Sequence, residues 1–193
     1  MDTGNTDSKM LMERVARGDA MAIRQLVDDY GQMLLRQTMR LVPMKEEAEE
    51  LLHDALLRAI RFAHQYDAQR ASLPTWLLRI AYTTCLRHIQ RHSRYQTISL
   101  DDVPGMADEV SEETLDNAFS TGNEGRIQFL VRALGFLSTE DRTLLALRYE
   151  EDRPLTEVAY LFDSTPDALY QRLHRIRRRL YNLIKHFEHA DHP

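Results

Sequence analysis

The sequence predicts an all-α protein made of two small helical domains that an acidic, flexible linker joins. Only seven glycines and six prolines occur among 193 residues, which favours helices over turn-rich sheets. Apolar residues recur at helical spacing on both sides of residues 96–125. That central stretch holds eight acids and no lysine or arginine, as exposed connections often do. We therefore expect a disordered N-terminus (1–7), a first domain (8–95), an acidic linker (96–125) and a second domain (126–189).

Four helices are predicted in the first domain. Ser8 is the expected cap of a helix that ends near Ala16, and Asp19 is the expected cap of a second that ends near Val42, before Pro43. A third helix is predicted over residues 45–66. A fourth opens at Ser72 or Thr75 and continues to about residue 94.

The second domain is also predicted to hold four helices. They cover residues 124–136, 138–149, 156–162 and a long last segment, and one more short helix is expected in the linker near residues 112–119. Thr165 and Pro166 are strong N-cap and first-turn signals for the last helix. A short helix, a polar turn and a long basic helix together predict a helix-turn-helix.

Charge is divided unevenly along the chain. The formal net charge is −5, but residues 1–95 carry +2, residues 96–125 carry −8 and residues 126–193 carry +1. The lone Cys85 excludes an internal disulfide and suits a reducing compartment. With neither a signal-peptide core nor an uncharged run of membrane-spanning length, the sequence predicts a soluble, cytoplasmic protein without membrane insertion.

The last helix carries a basic face opposite its apolar stripe. Residues 168–187 contain six Lys or Arg residues and no acid. The predicted buried stripe consists of Leu169, Leu173, Ile176 and Leu180, and the opposite face consists of Tyr170, Gln171, His174, Arg175 and Arg178. Gln and Arg at the start of such a helix can read adenine and guanine in the major groove, and the flanking Arg172 and Arg179 would meet phosphates. A solvated basic helix without a ligand is the plainer alternative.

A second acid-free stretch covers residues 68–100. It is interleaved with aromatic residues that include Tyr66 just upstream and Trp76, and its basic side chains are Arg70, Arg79, Arg87, His88, Arg91, His92 and Arg94. Basic residues mixed with exposed aromatics favour binding to single-stranded or unwinding DNA. The alternative for Trp76 is a place in the core, which we expect for its neighbours Leu77, Ile80 and Cys85.

The predicted third helix begins with acidic residues, namely Glu46, Glu47, Glu49, Glu50 and Asp54. Acids stabilise a helix N-terminus, which is one explanation for them. The other is a surface for a basic protein partner.

These segments, in this order, resemble the extracytoplasmic-function (group IV) sigma factors of bacterial RNA polymerase. "EEAEELLHDALLRAIRFAHQYD" resembles the polymerase-binding helix of sigma region 2, and "LPTWLLRIAYTTCLRHIQR" resembles its promoter-melting helix. "LSTEDRTLLALRYEEDRPLTEVAYLFDSTPDALYQRLHRIRRRL" resembles region 4, with Asp163 where the family usually has the turn glycine. Aspartate tolerates the left-handed backbone that such a turn needs.

The resemblance implies a role for each surface. Glu46, Glu49, Glu50, His53 and Asp54 would dock on the clamp helices of the largest subunit of core RNA polymerase. The loop of residues 66–74 and the residues Trp76, Arg79, Thr83, Arg87, His88 and Arg91 would hold the melted minus-ten element of promoter DNA, with a flipped base in the loop. Tyr170, Gln171, His174 and Arg175 would read the minus-thirty-five element. The acidic linker would thread the nucleic-acid channels of the polymerase, and an anti-sigma factor is a candidate third partner.

Three other classes of protein remain as alternatives. A stand-alone helix-turn-helix regulator explains the second domain, but it explains neither the acidic helix nor the acid-free stretch of residues 68–100. An enzyme would need a site, and the Glu50 and His53 pair is half of a helical di-iron site whose second half is missing. A structural adaptor would need no basic surfaces. We expect no catalytic residues, no metal and no cofactor.

Overall fold

The structure is a computed structural model that describes residues 3–92 and 124–190, with side chains described for residues 6–91 and 127–190. These residues form eight α-helices and no strand, which confirms the predicted all-α class. They divide into two compact units. The first contains the chain up to His92 together with Ala159–Ser164, and the second contains the remaining described residues.

In residues 3–92 the first unit contains four α-helices, of which the last three are long and form most of its core. The helices are α1 (Thr3–Ala16), α2 (Ala20–Leu41), α3 (Lys45–Arg61) and α4 (Leu73–His92), with a 3₁₀ turn at Ala63–Gln65. α2, α3 and α4 pack against one another, and α1 covers α2 and the 3₁₀ turn. Leu26, Leu34 and Leu77 are at most 1% exposed in this core. Burying each of these side chains contributes about 2 kcal/mol.

The helix ends in this unit differ from prediction in two places. α1 begins at Thr3, so residues 3–7, expected to be disordered, are helical and Ser8 lies inside the helix. α3 ends at Arg61 rather than near Tyr66. The reason is tertiary, because the chain bends after Phe62 into the 3₁₀ turn, whose Ala63 is buried and packs against α1.

The other predicted start signals in this unit are confirmed. The Asp19 carboxylate caps α2 by accepting hydrogen bonds from the backbone N–H groups of Met21 and Ala22, at 2.9 and 3.3 Å. Of the two candidates for α4, Ser72 is the residue that precedes the helix, and its carbonyl accepts from the N–H of Trp76 at 3.0 Å. The predicted end near residue 94 lies outside the described residues, as does the linker up to residue 123 with its expected short helix.

We expect Asp19→Ala to lower the melting temperature at neutral pH. The carboxylate also accepts from Arg14 Nε at 2.8 Å, and this bond, with the backbone bonds of the cap, lowers the pKa of Asp19. A lowered pKa means a stabilising contribution that is present above about pH 4, the pKa of an unfolded aspartate, and is lost as the pH falls through the folded-state pKa. Thermal melts from pH 7 to pH 2 should show the difference between wild type and variant shrinking. Asp19→Asn keeps a capping side chain, so a loss equal to that of the alanine variant would contradict the capping role.

Cys85 lies fully buried in the first unit, at 0% exposure. Burial raises the pKa of its thiol to about 11. Because the thiolate is the reactive form, we expect negligible alkylation by iodoacetamide in the folded protein at pH 7.5 and rapid alkylation in urea. Mass spectrometry measures the extent of alkylation. Fast labelling of the folded protein would contradict the burial of this side chain.

The second unit packs two helices against one long helix. The helices after residue 123 are α5 (Glu124–Leu134), α6 (Thr139–Leu145), α7 (Leu155–Leu161) and α8 (Pro166–Ala190), and residues 159–161 of α7 belong to the first unit. α5 and α6 contact α8. Residues 124 and 125, assigned to the linker by the predicted boundary, already belong to α5. The Ser138 cap of α6 is confirmed, since its hydroxyl accepts from the Asp141 N–H at 3.1 Å.

α6 is shorter than predicted. After Leu145 the chain forms a π turn (Ala146–Glu150), whereas the sequence predicted a helix through Tyr149. Leu144 and Leu147 remain buried, so apolar spacing does not distinguish the two forms over a single turn. Arg153, held by Glu151 and Glu157 at 2.7 Å each, fixes the chain where it turns into α7.

None of the helices in the described ranges has the length and the hydrophobicity that crossing a bilayer requires.

Candidate nucleic-acid interfaces

The outer side of α3 carries an acidic face. Its members Glu46, Glu49, Glu50, His53 and Asp54 are all exposed. Glu49 has an ion pair of 3.7 Å with Lys45. Glu47 differs from its neighbours because it is half-buried and its Oε1 lies 2.5 Å from His88 Nε2 of α4.

Leu57 extends the acidic face and was missed in the sequence analysis. It is 52% exposed and lies one helical turn beyond His53 and Asp54. An exposed leucine next to a row of carboxylates is typical of a protein interface, where an apolar contact adds to charge complementarity. The signal was available in the sequence, since residues three and four apart share a helix face.

A basic cleft opens where α3 ends and α4 begins. Its volume is about 420 Å³, and its lining includes four arginines, Arg58, Arg70, Arg79 and Arg87, and the aromatic residues Phe62 and Trp76. The structure therefore brings together Arg70, Trp76, Arg79, Thr83 and Arg87 of the predicted minus-ten set. The lining also includes Asp67, and Arg79 is paired with Asp163, so the cleft keeps a net positive charge, which favours an anionic ligand.

The aromatic residues of this region are not arranged as the sequence suggested. Trp76 is 8% exposed and its ring packs edge-on against Tyr66, with 5.6 Å between ring centroids. Its ring is therefore core that also lines the cleft, and not an exposed stacking surface. Phe62 is 40% exposed in the same cleft. It is the aromatic residue of this lining that is open enough for a base to stack on, and sequence analysis did not single it out.

The polar residues of α4 fall into two groups. Arg87 and Arg91 are exposed on its outer side, and Arg70 is exposed in the preceding loop. The other three polar residues predicted for the minus-ten element, Arg79, Thr83 and His88, have intramolecular partners. Arg79 forms a 2.5 Å ion pair with Asp163, within the segment that belongs to the same unit. The Thr83 hydroxyl donates to the Arg79 carbonyl at 2.6 Å, and His88 contacts Glu47.

α8 presents the predicted reading face. Its stripe of Leu169, Leu173, Ile176 and Leu180 is buried, as the helical spacing predicted. The Thr165 hydroxyl caps the helix by accepting from the Ala168 N–H at 3.2 Å. Tyr170, Gln171 and Arg175 are exposed, whereas His174 and Arg178 are half-buried. Asp163 in the preceding turn has φ of +52°, the left-handed backbone that the sequence predicted there.

The two arginines predicted to flank this face are engaged within the protein. Arg172 binds Glu140 and Asp141 of α6, each at 2.8 Å. Arg179 donates to the Phe136 carbonyl at 3.2 Å. Helical spacing placed both residues correctly on the flank of α8 but could not reveal partners that lie more than thirty residues away in sequence.

The structure offers no set of ligands for the alternative of a metal-dependent enzyme. Across residues 6–91 and 127–190, no three His, Cys, Asp or Glu side chains come together in a way that could hold an ion. Glu50 and His53 stand on the acidic face without a matching pair from another helix in those ranges.

The chain is similar to known proteins over most of its length. The family model for sigma-70 region 2 matches residues 26–95. The sigma factor SigM of Mycobacterium tuberculosis is 28% identical over 181 residues, which cover 93% of this chain and 85% of SigM. SigW of Bacillus subtilis is 24% identical over 92% of this chain and 96% of its own length.

Solved structures show the same fold. CnrH, in complex with the cytosolic domain of CnrY, superposes with a TM-score of 0.56 at 20% identity over 92% of this chain and 97% of its own. The sigma factor RpoE of Bartonella quintana, in complex with the anti-sigma factor NepR, gives a TM-score of 0.50 at 18% identity over 84% of this chain and 96% of its own. The family model assigns residues 26–95 to sigma-70 region 2, and along more than nine-tenths of its length the chain is similar to extracytoplasmic-function RNA polymerase sigma factors.

Proposed function

We propose that this protein is an alternative sigma subunit that binds core RNA polymerase and directs it to a restricted set of promoters. One observation carries the proposal: the region that matches sigma-70 region 2 presents an exposed acidic face on α3 and a four-arginine cleft beside it. A stand-alone DNA-binding protein needs the second surface but not the first. Sigma factors are transcription initiation factors, and we assign the chemistry of RNA synthesis to the polymerase.

Core docking is assigned to the acidic face. Its five residues and Leu57 project from one rigid helix, so they can engage a basic helical surface such as the polymerase clamp helices without rearrangement. Exposed acids also speed association with a basic partner, and this effect weakens with salt.

Promoter opening is assigned to the basic cleft. Arg58, Arg70 and Arg87 can bind the phosphates of a melted strand, while the exposed ring of Phe62 offers a stacking surface worth about 1–3 kcal/mol per base. Arg91 continues the basic surface along α4. In this proposal Trp76 and Tyr66 shape the cleft from below and do not stack on bases.

Reading of the minus-thirty-five element is assigned to the start of α8. Gln171 and Arg175 are exposed on its outer face and carry the amide and guanidinium groups that pair with adenine and guanine edges. Tyr170 and His174 flank them. We assign residues 8–95 to region 2, residues 126–189 to region 4 and the −8 linker between them to the nucleic-acid channels of the polymerase.

An anti-sigma factor is proposed as a regulator, because the related structures hold such a sigma factor with a bound protein partner. We place the protein in the cytoplasm, where bacterial core polymerase works.

In vitro transcription tests the proposed function. Purified core polymerase is incubated with fragmented genomic DNA, with and without this protein, and transcripts are sequenced. We expect new transcripts whose upstream regions share two motifs at fixed spacing. Duplex DNA binding without any association with core polymerase would contradict the proposal and favour a stand-alone helix-turn-helix regulator.

A further inference from the structure

We infer that Arg172 is a positioning residue that sets the orientation of α8 through α6, and that it does not bind a DNA phosphate. The inference rests on the proposed function, since it concerns how the reading face is held. It reassigns a residue that helical spacing alone places among the phosphate contacts.

The contact is a two-pronged fork. Arg172 Nε donates to Asp141 Oδ1 and Arg172 Nη2 donates to Glu140 Oε2, each at 2.8 Å. The side chain of Arg172 is 29% exposed, and those of Glu140 and Asp141 are 30% and 16% exposed. A planar guanidinium that binds two carboxylates at once is held in a single orientation. A lysine ammonium on its flexible stem, paired with one carboxylate, is not.

The charges reinforce that geometry. Burial works against the charged guanidinium, but the hydrogen bond to Glu140 and the charge and hydrogen bond of Asp141 outweigh it and raise the pKa of Arg172. The cation is therefore held in place by its partners despite being half-buried.

The acceptors are themselves fixed. Glu140 and Asp141 lie in the first turn of α6, whose start is held by the Ser138 cap on the Asp141 N–H. The fork therefore ties α8 at Arg172 to a defined point on α6. Orientation matters for base reading, because hydrogen bonds to base edges fail beyond about 3.2 Å.

The fork lies beside the reading face. Gln171 is adjacent to Arg172 in sequence, and Arg175 is one helical turn further on, both exposed. Loss of the fork would let α8 rotate or slide and move both side chains together. A phosphate contact by Arg172 would instead require the guanidinium to leave both carboxylates, which would then face DNA uncompensated.

Glu140→Gln with Asp141→Asn is the discriminating variant, because it removes the two charges that hold the guanidinium and leaves only neutral amide oxygens as acceptors, while Arg172 stays in place. Holoenzyme made from core polymerase and the full chain is bound to duplex DNA with a randomised upstream segment, and bound DNA is sequenced. We expect enrichment of the preferred minus-thirty-five bases to fall about tenfold, with an unchanged slope of log affinity against log salt. Tighter binding with full base preference would overturn the inference.

The matched control is Asp28→Asn with Asp29→Asn, an adjacent exposed acidic pair with the same charge change in the first unit. It should leave base enrichment unchanged. Arg172→Ala adds a second measurement, since a phosphate contact predicts a slope smaller by about one, and a positioning role predicts the wild-type slope. Arg172→Lys, which keeps the charge but not the fork, should recover little of the base preference.

Thermal melts of the protein alone test the coupling separately. Arg172→Ala, the double amide variant and their combination should shift the melting temperature non-additively, because each change acts on the same contact. Additive shifts would overturn the fork. If the wild-type holoenzyme enriches no motif at all, the proposed function fails, and the melts still decide whether Arg172 couples α8 to α6.

Discussion

Replacing Arg175 with glutamate is expected to abolish promoter-specific initiation while binding to core polymerase stays at the wild-type level. Arg175 is exposed on the outer face of α8, and the proposed function assigns it to a guanine edge. Loss of one two-pronged base contact costs about 1–3 kcal/mol, which is about 5- to 150-fold in affinity. The new carboxylate would also be repelled by nearby phosphates. Initiation is measured as full-length transcript from a promoter recovered with the wild-type protein.

Lys185→Glu is the matched control for Arg175→Glu. It makes the same charge change on the same helix, ten residues further along, where Lys185 pairs with Glu188. We expect initiation within about twofold of wild type, because this site lies beyond the N-terminal half that enters the groove. Unchanged initiation with Arg175→Glu would contradict the assignment of the reading face.

Glu50→Arg with Asp54→Arg is expected to weaken binding to core polymerase by at least about tenfold. Both carboxylates are exposed on the acidic face, and reversing them sets like charges against a basic partner, which costs several kcal/mol when they are juxtaposed. The loss should shrink as salt rises, since surface charges are screened over about 10 Å at 0.1 M. Binding to surface-immobilised core polymerase, measured at several salt concentrations, gives both the affinity and its dependence on salt.

Asp7→Arg with Asp28→Arg provides the comparison, with the same charge change at exposed positions of the same unit outside the acidic face. Near wild-type binding by this variant would assign the effect to the site and not to net charge. If the Glu50 and Asp54 variant binds core polymerase as tightly as wild type, α3 is not the docking surface. Its ability to bind DNA in the cleft should persist in either case.

Local signals in the sequence were sufficient for α8. Thr165 caps it, Pro166 opens it, and the four apolar residues of its stripe are buried, because caps and helical period are decided within a few residues. The same holds for the Asp19 and Ser138 caps. The acidic face on α3 was predicted for the same reason, since exposure there follows from the position of the apolar stripe.

The features that were missed depend on contacts between distant segments. α3 stops at Arg61 because Ala63 packs on α1, although an apolar pattern continues past it. Phe62 is exposed as a result of that bend, and Trp76 is buried against Tyr66. Arg172 faces a side of α8 that looks free in isolation, and only the fold brings α6 to it.

The single tryptophan makes the cleft observable without a label. Trp76 is the protein's one indole, it lines the basic cleft, and Tyr66 packs against it. Its emission spectrum and lifetime therefore report on the first unit alone, while the second unit is silent at excitation wavelengths that only indole absorbs. A strand entering the cleft, or local melting of the α3–α4 junction, would change that emission directly. Binding of a single strand to the free protein could then be followed in real time by the unmodified protein's own fluorescence.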